Sequence, residues 1–370
     1  MTKQYPFFIK ATVCLFGVTL FVYCLFNLRD ELVPLAFAGI FAILLNPLFV
    51  RLQRYKIPRV IAIIITLLIA FIFVTGVLYF LSSQIARFGE VIPELKKKVI
   101  SMLTSGQNWL HEKYGIANQK PMDMLKDGIQ KSQGLLGSTV TTALGTVAVT
   151  LLLPVYVFLF LFYKPLILNF LFEVFAEENS KQVADILNQT KSSIQSYMIG
   201  LLLEALIVAV LNSTALLLIG VKYAILFGVL GAILNMLPYI GGVIAIILPV
   251  LMSLATQDDY SKPLIIIAAY ILIQFIDNNI LVPRIVSSKV KINALISIVA
   301  VLLGNALWGV PGMFLSIPFV AILKIIFDRI DDLKPWGKLL GDEVPTRHKG
   351  EIWNKFRKKS SAAEKISKST

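Results

Sequence analysis

The sequence predicts an all-α polytopic membrane protein, a helical bundle of about eight hydrophobic segments, on three observations. Hydrophobic residues make up 57% of the 370 residues, and charged residues only 15%, against about 25% in soluble domains. The mean hydropathy is +0.78. The apolar runs are about 20 residues long, which is the length of a spanning helix and not of a barrel strand. Since only helices and closed barrels satisfy their backbone groups in lipid, a helical bundle follows.

The first half of the chain contains four of these segments and one long polar insertion. We predict spans at residues 7–28, 32–50 and 60–81, then an extracytoplasmic insertion at 83–137 that begins with the apolar spacing of an amphipathic helix. A fourth span at 138–163 opens with threonine and glycine, which allow close helix packing. The first run is too long for a signal peptide and is not followed by a small-residue cleavage site, so we expect a retained helix.

The second half begins with a connector at 164–197, which we predict to be cytoplasmic and amphipathic. A fifth span follows at 197–219, and a later one at 264–282 ends in a polar cluster. We therefore predict a transmembrane domain over residues 1–333 and a basic cytoplasmic tail over 334–370.

Two apolar stretches are each broken once by glycine and proline. The first, 223–254, is interrupted at 235–242, and the second, 293–327, is interrupted at 304–312. Each exceeds 30 residues, so a straight helix would be about 45–50 Å long, whereas a hydrocarbon core is about 30 Å thick. Each is predicted to be two short helices that meet at a bend. Pairs of such interrupted segments are the best sequence pointer to a transporter's binding site.

Loop charges predict the orientation. Loop 51–59 contains basic residues and no acid, which places it and the N-terminus in the cytoplasm. If each broken stretch crossed once, the acidic loop at 258–259 would be cytoplasmic and the basic loop at 284–291 external, against the positive-inside rule. Two hairpins that enter from opposite sides remove this conflict and place the C-terminus in the cytoplasm. Whether the hairpins are re-entrant or nearly crossing stays open.

Two acids lie within predicted spans, Glu204 and Asp277. A charge at the bilayer centre costs about 2.5–3.5 kcal/mol on insertion scales, so an intramembrane acid indicates a functional site. Gln274, Asn278 and Arg284 are close to Asp277 in sequence, and the structural alternative is an Asp–Arg pair that fixes a helix end.

The two bends each carry an asparagine, Asn235 and Asn305. Bent backbone is tolerated at membrane depth where it lines a cavity or is covered by protein. The alternative is that both asparagines cap the broken helices.

Other chemistry is not indicated. Cys14 and Cys24 are about 15 Å apart on one predicted helix, too far for a disulfide. The sequence shows no metal-ligand cluster, nucleotide-binding loop or catalytic motif. We predict no enzymatic activity and no metal or cofactor. We also predict no nucleic-acid partner, because basic residues in the loops of a membrane protein primarily set its orientation, which accounts for the net charge of +13.

Three sequence blocks follow one another in a characteristic order and spacing: Pro-Tyr-Ile-Gly-Gly at 238–242, Asp277-Asn278 with Val-Pro-Arg-Ile-Val at 282–286, and Gly-Val-Pro-Gly-Met-Phe-Leu-Ser-Ile-Pro at 309–318. Through these blocks, residues 190–330 resemble the autoinducer-2 exporter (permease PerM) family. The sequence departs at Ile292-Asn293-Ala294, where many relatives carry a proline. The resemblance implies a bacterial inner-membrane permease with about eight spans. Some members are taken as exporters of autoinducer-2, and others are assigned sodium- or lithium-proton exchange.

The leading hypothesis is an ion-coupled permease that moves a small polar solute outward. The alternatives are a monovalent cation–proton antiporter and a non-transporting membrane scaffold, and homo-oligomers are compatible with all three. The candidates for the solute or ion pathway are the two buried acids and the polar, glycine and proline residues around the bends. They are Glu204, Asn235, Pro238, Tyr239, Gly241, Gly242, Gln274, Asp277, Asn278, Arg284, Gly304, Asn305, Gly309, Pro311 and Gly312.

Overall fold

The computed structural model describes residues 6–89, isolated helical positions between 97 and 113, and residues 152–174, 180–237, 241–256, 261–286 and 291–342. Nearly all of these residues are helical, and within them the sole β contact is an isolated bridge between Ile292 and Gly341. The predicted all-α class is confirmed. Most of the predicted insertion at 83–137, the start of the fourth span, Pro238, Tyr239 and most of the tail lie outside the described residues.

The described helices are numbered here in chain order. They are α1 (Phe7–Asn27), α2 (Arg29–Arg54), α3 (Arg59–Gly89), α4 (Leu152–Val174), α5 (Ser180–Ile219), α6 (Ala224–Asn235), α7 (Gly241–Thr256), α8 (Ser261–Ile276), α9 (Ala294–Arg329) and α10 (Lys334–Leu340). A π-helical segment, Asp277–Val286, continues α8. Seven helices in the described part of the chain are long and apolar enough to cross a membrane.

The first broken stretch forms two short helices, α6 and α7, that pack against each other. A Cβ on Gly241 would lie 1.8 Å from the carbonyl oxygen of Leu234, so only glycine allows α7 to begin so close to the end of α6. The predicted bend is confirmed.

The second broken stretch is continuous in α9 but turns back at Gly309, whose φ of 63° and ψ of −143° are non-helical. A straight helix would separate Gly304 and Gly312 by about 12 Å. Instead, a Cβ on Gly312 would lie 2.0 Å from the carbonyl oxygen of Gly304. The two arms of α9 therefore form a hairpin, as predicted. Asn293 begins it, because its side chain caps the helix by accepting from the Ile296 N–H at 2.9 Å.

The structure differs from the sequence at the predicted connector. Helix α4 continues through Pro165 to Val174, and α5 is one helix of 40 residues that begins at Ser180. Proline removes one backbone donor and frees the carbonyl four residues earlier. That carbonyl belongs to Leu161, and it accepts a hydrogen bond from Arg59 Nη2 at 3.0 Å. A partner from α3 thus allows α4 to pass its proline, which a local reading of the sequence does not reveal.

Three buried apolar clusters hold the helices together. One lies among α5–α8 around Phe227 and Met252, one among α2–α4 around Ile63 and Leu161, and one among α2, α5 and α9 around Met198. No residue of α1 is buried, and its apolar side chains face outward, as expected for a helix in lipid. Helix α5 contributes to two of the clusters and packs against α2, α6, α8 and α9, so it is the central helix of the described bundle.

Candidate functional site

Asp277 is the centre of a buried polar site. It is 2% exposed and lies at the point where α8 gives way to the π-helical segment. Its Oδ2 accepts a hydrogen bond from Asn235 Nδ2 at 2.7 Å and a longer one from Gln274 Nε2 at 3.5 Å. Its Oδ1 is buried without a hydrogen-bond partner. π-Helical segments are rare and occur frequently at functional sites.

Two glycines allow these elements to meet. A Cβ on Gly242 would lie 2.3 Å from Gln274 Oε1 and 3.3 Å from Asn235 Oδ1. The absence of a side chain at this position therefore lets the start of α7 rest on the Asn235–Gln274 pair. A Cβ on Gly231 would lie 3.3 Å from Asn212 Nδ2 and 3.5 Å from Tyr270 Oη, so this glycine brings α5 and α8 together across α6.

The site encloses a small cavity between α5, α6, α7 and α8. Its free volume of about 10 Å³ is close to the minimum for one water molecule. Three buried oxygens at the cavity have no hydrogen-bond partner: Asn212 Oδ1, Tyr270 Oη and Asp277 Oδ1. Unpaired buried oxygens are rare in proteins and are usually satisfied by water, an ion or a ligand. The lining residues are Val208, Asn212, Gly231, Asn235, Gly242, Ala245, Tyr270, Ile273, Gln274 and Asp277.

Glu204 lies beside this cavity and not in its wall. It is 7% exposed, and no described residue forms a hydrogen bond with its carboxyl. Glu204, Val208 and Asn212 are successive i, i+4 positions on α5, so they share one helix face. Since Val208 and Asn212 line the cavity together with Asp277, Glu204 lies one helical turn from that wall. The two predicted intramembrane acids thus belong to one buried region.

The other predicted residues are distributed unevenly. Asn235, Gly242, Gln274 and Asp277 line the cavity, and Asn278 is exposed but hydrogen-bonded to Gln274 at 3.3 Å. Gly241 packs at the bend. Asp277 receives its hydrogen bonds from amides, and the exposed Arg284 does not provide them.

The second bend does not line the cavity. Asn305 is exposed, and Gly304 and Gly312 serve the close approach of the two arms of α9. Gly309 and Pro311 form the turn. The two bends nevertheless share an apolar cluster, which Met236 from the first and Trp308 from the second both contact. Asn235 and Asn305 are not N-caps of the broken helices: Asn235 binds Asp277, and Asn293 caps α9.

Sequence reasoning missed two residues of the site, Asn212 and Tyr270. The helical spacing in the sequence could have identified both. Asn212 follows Glu204 by two steps of four, and Tyr270 precedes Gln274 by four and Asp277 by seven, so each lies on the same face as a predicted residue. Such polar positions within apolar runs mark the inner face of a membrane helix.

The chemistry of the site is that of oxygen donors. One carboxylate, amide oxygens and a phenol suit a proton, a monovalent cation or a hydroxylated solute. No group of three or more His, Cys, Asp or Glu side chains that would hold a metal ion occurs in the described part of the chain.

A multi-span helical bundle with buried acids and amides around an interior cavity is typical of a membrane permease. The family model described as AI-2E family transporter matches residues 12–332, and the chain belongs to that family. The family consists of transporters, so the protein is a permease and not an enzyme.

Three relatives cover most of the chain. The AI-2 transport protein TqsA of Escherichia coli (strain K12) is 25% identical over 89% of this chain and 95% of its own. The putative transport protein YhhT of the same strain is 27% identical over 85% and 89%, respectively. The putative transport protein YueF of Bacillus subtilis (strain 168) is 26% identical over 80% and 82%.

Proposed function

We propose that this protein is an ion-coupled permease of the bacterial inner membrane that moves a small, polar, autoinducer-2-like solute out of the cell. The observation that carries the proposal is the cavity around Asp277, where three buried oxygens lack partners. Its membership of a transporter family and its similarity to TqsA, which is described as an AI-2 transport protein, support the choice of solute class.

The two acids supply the coupling in this proposal. A carboxylate buried among membrane helices is costly unless a proton or a cation neutralises it. Asn235 holds one oxygen of Asp277 and leaves the other open to the cavity. Binding and release of a proton or ion at Asp277 would change the charge of the cavity wall. This change in charge would in turn alter how stably α6 and α7 pack against α5 and α8.

The cavity is too small for a polyhydroxylated solute, since it has room for about one water molecule. We therefore assign the described structure to an occluded arrangement. Entry of solute requires that the hairpin α6–α7 move away from α5 and α8. At Gly231 and Gly242 the hairpin has no side chain that interlocks with these helices, so the surfaces can separate there. Motions of packed elements of this kind underlie alternating access.

Reconstituted flux tests the proposal. Liposomes that contain the purified protein are loaded with labelled autoinducer-2. Efflux of the label is then followed with and without an imposed pH or Na⁺ gradient. We expect Asp277→Asn and Glu204→Gln to lower gradient-driven efflux at least tenfold, because each removes a group that carries the coupling charge. Asp30→Asn is the matched control, since Asp30 is an exposed acid at the start of α2. Efflux that is unchanged in both variants contradicts the proposal.

A monovalent cation–proton antiporter is the second candidate. The observation in its favour is the size of the cavity, which fits one small ion between three oxygens better than a solute. If a Na⁺ or Li⁺ gradient collapses a pH gradient in the same liposomes and Asp277→Asn stops this, while no solute moves, antiport replaces export. A folded preparation that carries neither solute nor cation supports the membrane scaffold instead.

A further inference from the structure

A cluster of three cations, one each from α3, α4 and α5, lies away from the polar cavity. Lys164 Nζ donates to Oδ1 of the buried Asn46 at 2.9 Å. Arg59 of α3 donates a hydrogen bond to the carbonyl of Leu161, which precedes Lys164 on α4 by less than one helical turn. Lys191 of α5 lies within electrostatic range of Lys164, as Arg59 does. Three helices thus bring three positive charges to one place.

The charges of this cluster are not neutralised within the described part of the chain. No Asp or Glu there forms an ion pair with Arg59, Lys164 or Lys191. Arg59 Nε is buried and has no hydrogen-bond partner. Like charges held together repel one another, more strongly where water is partly excluded. The arrangement therefore favours an anion that offsets this repulsion beside the exposed Lys191 and the partly exposed Lys164.

The cluster lies beside lipid. Arg59 is the first residue of α3 and ends the basic loop 51–59, which marks a membrane boundary. Leu159, Tyr163 and Leu166, on the part of α4 that carries Lys164, are exposed apolar or amphipathic side chains. Basic pockets between transmembrane helices at this level bind the phosphates of lipid headgroups. Arginine and lysine together suit phosphate, the first through its planar fork and the second as a point charge.

We propose that Arg59, Lys164 and Lys191 form a binding site for a phosphate group at this membrane boundary. The phosphodiester of an anionic phospholipid has the favoured position, because its acyl chains would lie on the exposed apolar surface of α4. A free phosphate ion offers the same chemistry without the chains. The site is independent of the cavity around Asp277 and of the transported solute.

Lipid titration of the purified full-length chain tests the proposal. Native mass spectrometry in detergent measures binding of phosphatidylglycerol, with phosphatidylcholine as the zwitterionic comparison and inorganic phosphate as the chain-free one. We expect a preference for phosphatidylglycerol of about tenfold, and about a fivefold loss of its affinity in Lys164→Gln and in Lys191→Gln, on the scale of one basic residue near a membrane surface.

Matched controls separate a site from a generally basic surface. Lys56→Gln removes the same charge from the exposed end of the same loop and leaves affinity unchanged if the site is real. Lys164→Gln alters the hydrogen bond to Asn46 and could therefore disturb the fold. Lys191 is exposed, so we expect Lys191→Gln to preserve the fold and to test the site by itself.

The outcomes are distinct. Binding of inorganic phosphate that both variants lose, with no preference among lipids, keeps the site and assigns it to a free ion. Equal affinities in wild type and Lys191→Gln, or an equal loss in Lys56→Gln, overturn the proposal.

Discussion

The two oxygens of the Asp277 carboxyl have different surroundings. Oδ2 accepts from Asn235 and Gln274, whereas Oδ1 faces buried space without a donor. Amide donors hold the carboxyl in place without neutralising its charge, which an arginine partner would do. A positioned but uncompensated acid is what an ion-coupled step needs. The alternative Asp277–Arg284 pair would have made the residue structural, so the choice of partner is the most informative contact at this scale.

Tyr270→Phe distinguishes a site residue from a packing residue. The Tyr270 hydroxyl is buried without a hydrogen-bond partner, and such a group costs about 1–3 kcal/mol. Its removal is therefore expected to leave the melting temperature unchanged or slightly raised. If the hydroxyl contacts the transported species, flux in liposomes falls several-fold at the same time. A variant that loses stability and flux together contradicts this assignment, and Tyr79→Phe, at an exposed tyrosine of α3, is the control.

At the scale of elements, the two hairpins bend by different means. The first is two separate helices, and it brings Asn235 and Gly242 to the cavity. The second is a single helical run with one non-helical residue, Gly309, and its arms meet through Gly304 and Gly312. The first hairpin is thus a wall of the site, whereas the second shares only an apolar cluster with it.

Gly304→Ala and Gly312→Ala are expected to disrupt the second hairpin. Each new Cβ would lie 2.0–2.4 Å from a backbone oxygen of the opposite arm, and the backbone must move to relieve the clash. We expect a loss of about 1–3 kcal/mol, the usual range for overpacking, in detergent unfolding experiments.

Gly39→Ala and Gly76→Ala are the matched helical controls for this prediction. Neither glycine has an atom within 4 Å of an added Cβ, so alanine is expected to be neutral or stabilising by up to about 1 kcal/mol. If all four variants behave alike, close approach of the arms is not what these glycines provide.

At the scale of the whole molecule, orientation is the remaining prediction. The positive-inside rule places the two hairpins on opposite sides of the membrane and both termini in the cytoplasm. This follows from loop charge and not from the packing of the helices. It determines which side of the membrane each hairpin enters from.

Single cysteines test this orientation. In a background with Cys14→Ala and Cys24→Ala, we expect Ser261→Cys, at the start of α8, to react with an impermeant thiol reagent on spheroplasts. Lys291→Cys, just before α9, is expected to react only after the membrane is opened. The reverse pattern, or equal labelling, contradicts the hairpin topology and leaves the fold itself untouched.

The sequence by itself determined the class, the family and the shape of the broken segments. Hydropathy, run length and the placing of glycine and proline depend on local physics, namely the thickness of a bilayer and the conformations that glycine alone allows. For the same reason, an acid within an apolar run was recognisable as Glu204 or Asp277 without any contact being known.

The tertiary structure decided which residues form one site. Asn235 and Asp277 are far apart in the chain, and only the packing of the α6–α7 bend on α8 brings them within 2.7 Å. Asn212 and Tyr270 enter through the same packing, whereas Asn305 does not. Helix α4 passes Pro165 because Arg59 of α3 satisfies the freed carbonyl. Each of these outcomes depends on a partner from elsewhere in the chain, and local sequence patterns carry no information about that partner.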